Sequence, residues 1–234
     1  MSAGSVFLIA GAGPGTRRHA VRFHAEAVAA CGARAPVIAY VGAAANDSVV
    51  FEKLISTLVF GRTARTIPVR LKHSGLATST ARALLADADI VFFTGGDVEV
   101  GMRLIDARGL APYLRELHAA GKVMEGISAG AILLGRHWVR FPGEDDARAE
   151  PFDCLGVVPR SFDCHGEADD WEELRALARV TPDEKTVYGI PSGGAARWKS
   201  GRLTALGEPL ARFRCGPSPG RLAPLQPAPD PAAR

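Results

Sequence analysis

Short, mostly apolar runs recur along the first half of the chain. They are Val6–Ala10, Pro36–Val41, Thr66–Leu71, Asp89–Phe93 and Lys122–Ile127. Runs this short and this apolar predict strands buried on both faces. Between them lie longer stretches with helical patterning. Thr16 opens one that runs to Ala30 and stops at Cys31-Gly32, a C-cap signal. Asp47 or Ser48 caps a second, which continues to Phe60 and closes at Gly61. Thr78–Ala86, Val98–Ile105 and Leu110–Ala120 follow, and Ile132–Leu134 is helix-prone. Strands alternating with helices predict an α/β fold, a three-layer sandwich around a central mostly parallel sheet, with right-handed crossovers. Beyond Arg136 the pattern loosens. A helix is expected over Asp170–Arg179, and short strands near Thr186–Ile190, Ala195–Lys199 and Arg202–Ala205.

Composition narrows the class. The 234 residues are 47% hydrophobic and 23% charged, which excludes a disordered, collagen-like or coiled-coil chain. A chain of this length buries enough surface to need no disulfide or metal for its core. We read residues 1–215 as one domain. Residues 216–234 hold six of the 16 prolines and read as a disordered or extended tail. The net charge of +3 comes from the end: from Ala211 onward there are four Arg against one Asp, so the body is neutral. A neutral body argues against a nucleic-acid surface. The four cysteines form no C-x-x-C pair, so no zinc site is expected. Met1–Ser5 shows no signal-peptide pattern, and the longest apolar stretches of five to seven residues fall far short of the ~20 that span a bilayer. The expected setting is the cytoplasm with reduced thiols, with no membrane partner and no cofactor.

Gly126-Ile-Ser-Ala-Gly130 fits G-x-S-x-G between a predicted strand and a predicted helix. That context suits a nucleophile elbow, in which small residues let the chain turn sharply and expose the Ser128 hydroxyl. A passive Gly-rich turn has the same local pattern. Thr94-Gly-Gly-Asp97 closes another predicted strand and falls at the same sheet edge. Amides of Gly95 or Gly96, with that of Ala129, can then form an oxyanion hole. A serine nucleophile needs a base. His19, His24 and His118 fall in predicted helices, His73 in a loop, and His137 close behind the elbow. His165, in the irregular stretch Ser161–Gly166, is the favoured loop-borne base.

Phe92–Asp97, Gly126–Ala131, Leu155–Pro159 and Asp163–His165, taken in order, resemble the peptidase E / cyanophycinase family of serine peptidases. The resemblance spans roughly Val6 to Trp198. It implies a class I glutamine-amidotransferase-like (flavodoxin-like) fold and metal-free amide hydrolysis of short peptides or polymers. Ser128 matches the family's nucleophile, His165 its histidine, and Gly95 and Gly96 the glycine pair beside the oxyanion. The family's third acid lies between nucleophile and histidine; Asp145 is favoured here, with Glu144 and Asp146 as alternatives. Three departures stand out. Val98 replaces a polar residue, Gly189-Ile-Pro-Ser-Gly193 lacks the family's acidic residue, and Gly166–Trp171 replaces an Arg-rich stretch with Glu167, Asp169 and Asp170. Those acids should repel a substrate carboxylate.

Two rival readings follow from the same sequence. Val98 and Pro191-Ser192 are compatible with an inactive member of the fold that binds a small ligand or a protein. The Gly11–Gly15 loop lies between a strand and a helix, as a nucleotide loop does. Position 16 is Thr rather than the third glycine, and the next strand ends without a ribose-binding acid. The favoured partner is a small peptide-like substrate. A homodimer is compatible with the fold class, though no residue demands it.

Overall fold

The computed structural model describes residues 3–11, 15–61, 64–72, 75–143 and 148–228. Five parallel strands form the heart of a seven-stranded sheet: β1 (Val6–Ile9), β2 (Val37–Val41), β3 (Arg65–Val69), β4 (Ile90–Phe93) and β5 (Val123–Ile127). Their spatial order is β1-β5-β4-β2-β3. The antiparallel strands β10 (Ala195–Lys199) and β11 (Arg202–Leu206) extend the sheet beyond β1.

Side chains on these strands alternate between two cores, as a period of two requires. Val6, Leu8, Ala39, Val41, Val91 and Phe93 face one side. Phe7, Ile9, Ile38, Tyr40, Ile90 and Phe92 face the other. On the second side lie α1 (Arg17–Cys31), ended by left-handed Gly32, and α2 (Val49–Ile55). Ser48 caps α2 by accepting the Phe51 N–H. The expected helix through Phe60 changes character at Ser56, where one π-helical turn carries Val59 and Phe60 into the core before Gly61. The first side is covered by α3 (Thr78–Asp87), α4 (Val98–Ala107), α5 (Ala111–Ala119) and α6 (Ala129–Leu134). This is the α/β sandwich with a mostly parallel sheet that the sequence predicts.

The irregular second half builds a smaller sheet. A hairpin joins β6 (His137–Arg140) to β7 (Glu150–Asp153). A four-stranded sheet has the order β13-β12-β9-β8, made of β8 (Phe162–Cys164), β9 (Thr186–Ile190), β12 (Ala211–Arg214) and β13 (Gly220–Arg221). Helix α7 (Glu172–Val180) packs against it through Leu174 and Leu177. The described part of the proline-rich tail, residues 216–228, is extended. Gly220-Arg221 pairs with β12, the Arg221 guanidinium meets Asp170 at 2.8 Å, and Leu225 packs on the core. Proline limits the tail to edge pairing, but an edge is where these contacts form.

Packing is tight around the end of β5. A Cβ added to Gly130 would lie 2.1 Å from the Phe93 carbonyl oxygen, and one added to Gly126 would lie 2.3 Å from the Gly130 oxygen. Backbone cannot retreat as a flexible side-chain tip can. Gly130→Ala is therefore expected to cost about 3 kcal/mol or more. Gly75→Ala, where a Cβ meets nothing within 4 Å, should stay within about 0.5 kcal/mol. Thermal and denaturant unfolding of both variants checks the contrast.

Candidate active site

The site lies at the C-terminal edge of the parallel strands, where open α/β sheets bind ligands. Ile9 of β1 and Phe93 of β4 flank β5, paired with Ile127 and Gly126. The chain leaves β5 at Ser128, whose N–H donates to the Ile9 oxygen at 2.8 Å. Ser128 has φ 52° and ψ −121°, a conformation that costs a non-glycine residue of order 1–3 kcal/mol. The strain turns the hydroxyl out of the sheet, as in a nucleophile elbow. Helix α6 starts at the next residue.

The glycine pair after β4 backs onto this turn. A Cβ on Gly95 would sit 3.2 Å from the Ser128 Cβ. Gly96 has φ 140° and runs against the Ala44 carbonyl, where a Cβ would lie 2.1 Å away. Gly96 and Ala129 border one cleft of about 330 Å³ together with Ser128 and His165. Val98, the first residue of α4, is buried and forms part of the same wall.

His165 follows β8 directly. Its N–H donates to the Ile190 oxygen of β9 at 2.9 Å, and its φ is 48°. The Cys164 Sγ lies 3.8 Å from the Ser128 carbonyl oxygen, so the end of β8 touches the elbow. The outcome is a Ser128 Oγ to His165 Nε2 distance of 3.0 Å. With the proton on Nδ1, Nε2 accepts the serine hydroxyl hydrogen, which is the contact a nucleophile and its base require.

The acid is less simple. Asp145, Glu144 and Asp146 lie outside the described residues. Glu167 and Glu173 both act on the His165 ring electrostatically. Burial alone would raise the Glu167 carboxyl. Hydrogen bonds from the Ser192 side chain and N–H, the latter at 2.9 Å, and the His165 field bring it below its usual range. Burial raises Glu173, against a hydrogen bond from the Trp138 side chain.

Other residues resolve differently. His137 is held by Glu184, Nδ1 to Oε1 at 2.9 Å. Glu184 also accepts from the Ser161 hydroxyl and, at 3.2 Å, from the Ser161 N–H. This bracket fastens the start of β8. No motif signals it, because its members stand 23 to 47 residues apart. His24 is buried against Glu125 at 2.8 Å, and His118 against the Gly4 oxygen at 3.0 Å. His73 and the centre of the Gly11–Gly15 loop, residues 12–14, lie outside the described residues. Burial pushes the Cys164 thiol well up, so it is no thiolate nucleophile. Among the described residues no group of three or more His, Cys, Asp or Glu is arranged to hold a metal ion, and no helix is long and apolar enough to cross a membrane.

Sequence reading found the acids of residues 167–170 but not those that other elements bring to the cleft. Asp97, Asp163, Asp169 and Glu173 all line it. Asp163, two residues before the histidine, is 5% exposed. Burial, then the charges of Glu173, Asp169 and Glu167, push its carboxyl up to about 7, despite the Cys164 N–H it accepts at 2.8 Å.

The family model for Peptidase family S51 matches residues 6–206. The chain belongs to peptidase family S51. That family is one of peptidases, so this S51 chain is a peptidase, as the resemblance to peptidase E implies. Its fold is similar to that of a peptidase from an acI-B1 Actinobacterium, at 17% identity over 98% of this chain and 96% of that one, with a TM-score of 0.63. It is also similar to a putative peptidase E protein from Listeria monocytogenes EGD-e, at 13% identity over 88% of this chain and 98% of that one, with a TM-score of 0.65. No curated protein matches the sequence.

The Asp163 carboxyl predicts a pH effect on stability. Between about pH 4 and pH 7 the folded S51 chain keeps a proton there that the unfolded chain has lost. Stability from this group therefore falls as pH rises through that window. Asp163→Asn removes the effect, so its melting temperature should rise relative to the parent's between pH 4 and pH 7. A constant difference across that range would contradict the assignment.

Proposed function

We propose that the protein is a serine peptidase that cleaves a dipeptide or another small peptide-like amide through an acyl-enzyme on Ser128. The 3.0 Å contact between Ser128 Oγ and His165 Nε2, at a strained strand-to-helix turn, carries this reading. His165 removes the hydroxyl proton as Ser128 Oγ attacks the carbonyl carbon. The resulting oxyanion lies against amides of Gly95 or Gly96 and of Ala129, each worth ~3 kcal/mol to the transition state. His165 then gives its proton to the departing amine. Water repeats the sequence on the ester and releases the acid.

The imidazolium formed in these steps needs a negative neighbour. Asp145, with Glu144 and Asp146 as alternatives, is the proposed acid that orients it. Glu167, anchored on Ser192 in the segment where the family's acid is missing, adds its field. The four free thiols suit the reducing cytoplasm as the site of action.

A panel of dipeptides tests the proposal. Ser128→Ala should keep the fold and lose at least about 10³-fold in kcat/KM on whichever member is cleaved. Full turnover by that variant would refute the mechanism. Glu167→Gln should lower kcat about tenfold without moving KM. A loss near 10⁴ would instead make Glu167 the orienting acid.

A further inference from the structure

The loop after β2 carries a buried acid that the reaction does not use. It makes a 3-10 turn over Ala43–Ala45 and then enters α2. Asp47 and Ser48 are both cap residues by type, and Ser48 takes that task, accepting the Phe51 N–H at 3.3 Å. Asp47 turns inward instead. It is 6% exposed, and its Oδ2 accepts the N–H of Lys72, beyond β3, at 2.6 Å. Its Oδ1 has no hydrogen-bond partner among the described residues, so the Lys72 bond is the anchor of this carboxylate. The Asp47 N–H donates to the Gly42 oxygen at 3.0 Å and closes the loop on itself. Asn46 and Asp47 both have φ 56°, a left-handed pair that persists only under constraint.

This loop carries the glycine pair of the active site. The Asp97 N–H donates to the Ala44 oxygen at 2.9 Å, and a Cβ on Gly96 would lie 2.1 Å from that same oxygen. Ala44 also meets α4, its Cα 3.3 Å from a Cβ built on Gly101. Residues 95–97 therefore take their position from Ala44. Ala44 takes its own from a loop that Asp47 ties to the chain beyond β3.

We infer that Asp47 is a positioning residue for the oxyanion amides, acting from a strand two places away from that of Ser128. It touches neither substrate nor the reacting atoms. The inference rests on the serine-peptidase reading and adds to it the support behind Gly96. Amides act on an oxyanion only where they are held in place, and a displacement of about 1 Å can cost 10²-fold.

The test is the rate at which a fluorophosphonate labels Ser128, followed against pH by mass spectrometry. The phosphonyl oxygen develops its charge against the same amides. Asp47→Gly removes the carboxylate and adopts a φ of 56° without strain. Its plateau rate should fall at least about tenfold, while the midpoint of the pH profile, which reports His165, stays at the parent's. Asp47→Asn keeps an oxygen for the Lys72 N–H and tolerates the left-handed turn. It should label within about threefold of the parent's rate. A folded Asp47→Gly that labels at the parent's rate overturns the inference and leaves the activated serine standing. An Asp47→Asn as slow as Asp47→Gly, or more than about tenfold slower than the parent, also overturns it, because the effect would then belong to the charge. A parent protein that is folded and never labelled overturns the activated serine and the inference with it.

Discussion

The site depends on a backbone contact that admits no side chain. Gly130 rests on the Phe93 carbonyl, Gly126 on the Gly130 carbonyl, and Gly95 against Ser128 itself. These approaches lock the turn between β5 and α6 to the end of β4. Only so tight a turn keeps Ser128 at a positive φ, in a conformation that a free chain would leave. The parallel sheet supplies the rigid frame, since β1, β4 and β5 are buried on both faces.

The partner histidine comes from a different sheet, and its placement needs separate ties. Leu155–Val158 wraps the elbow helix, donating to the carbonyls of Leu133, Gly135 and Leu134. The Ser161–Glu184–His137 bracket then fixes the start of β8, and the Ile190 carbonyl fixes its end at His165. A shift of β8 by a single residue would exchange its inward and outward faces. The 3.0 Å contact thus reports on the alignment of both sheets.

Much of the central sheet was legible because strands buried on both faces leave short apolar runs with clear stops. The elbow was legible because its glycines are a steric requirement. His165 could be favoured among six histidines because His19, His24 and His118 fall in predicted helices, where His24 and His118 are buried. The second half was harder to read. Strand β8 spans three residues and the β6–β7 hairpin four per strand, too few for a period to emerge. The pairing of Gly220-Arg221 with β12 carries no pattern that a proline-rich composition reveals. The acidic cleft has no sequence spacing at all. Asp97, Asp163 and Glu173 come from three separate elements and meet only through the fold.

The carboxylates that line the cleft would repel a substrate carboxylate, and Ser128 and His165 meet beside them at 3.0 Å. Whether Ser128 is activated by His165 is the point on which the functional account turns. The most direct measurement is intact-protein and peptide mass spectrometry after exposure to a simple fluorophosphonate. The account predicts a single adduct on Ser128 that His165→Ala abolishes. A folded protein that stays unlabelled, or an adduct on another residue, would contradict it.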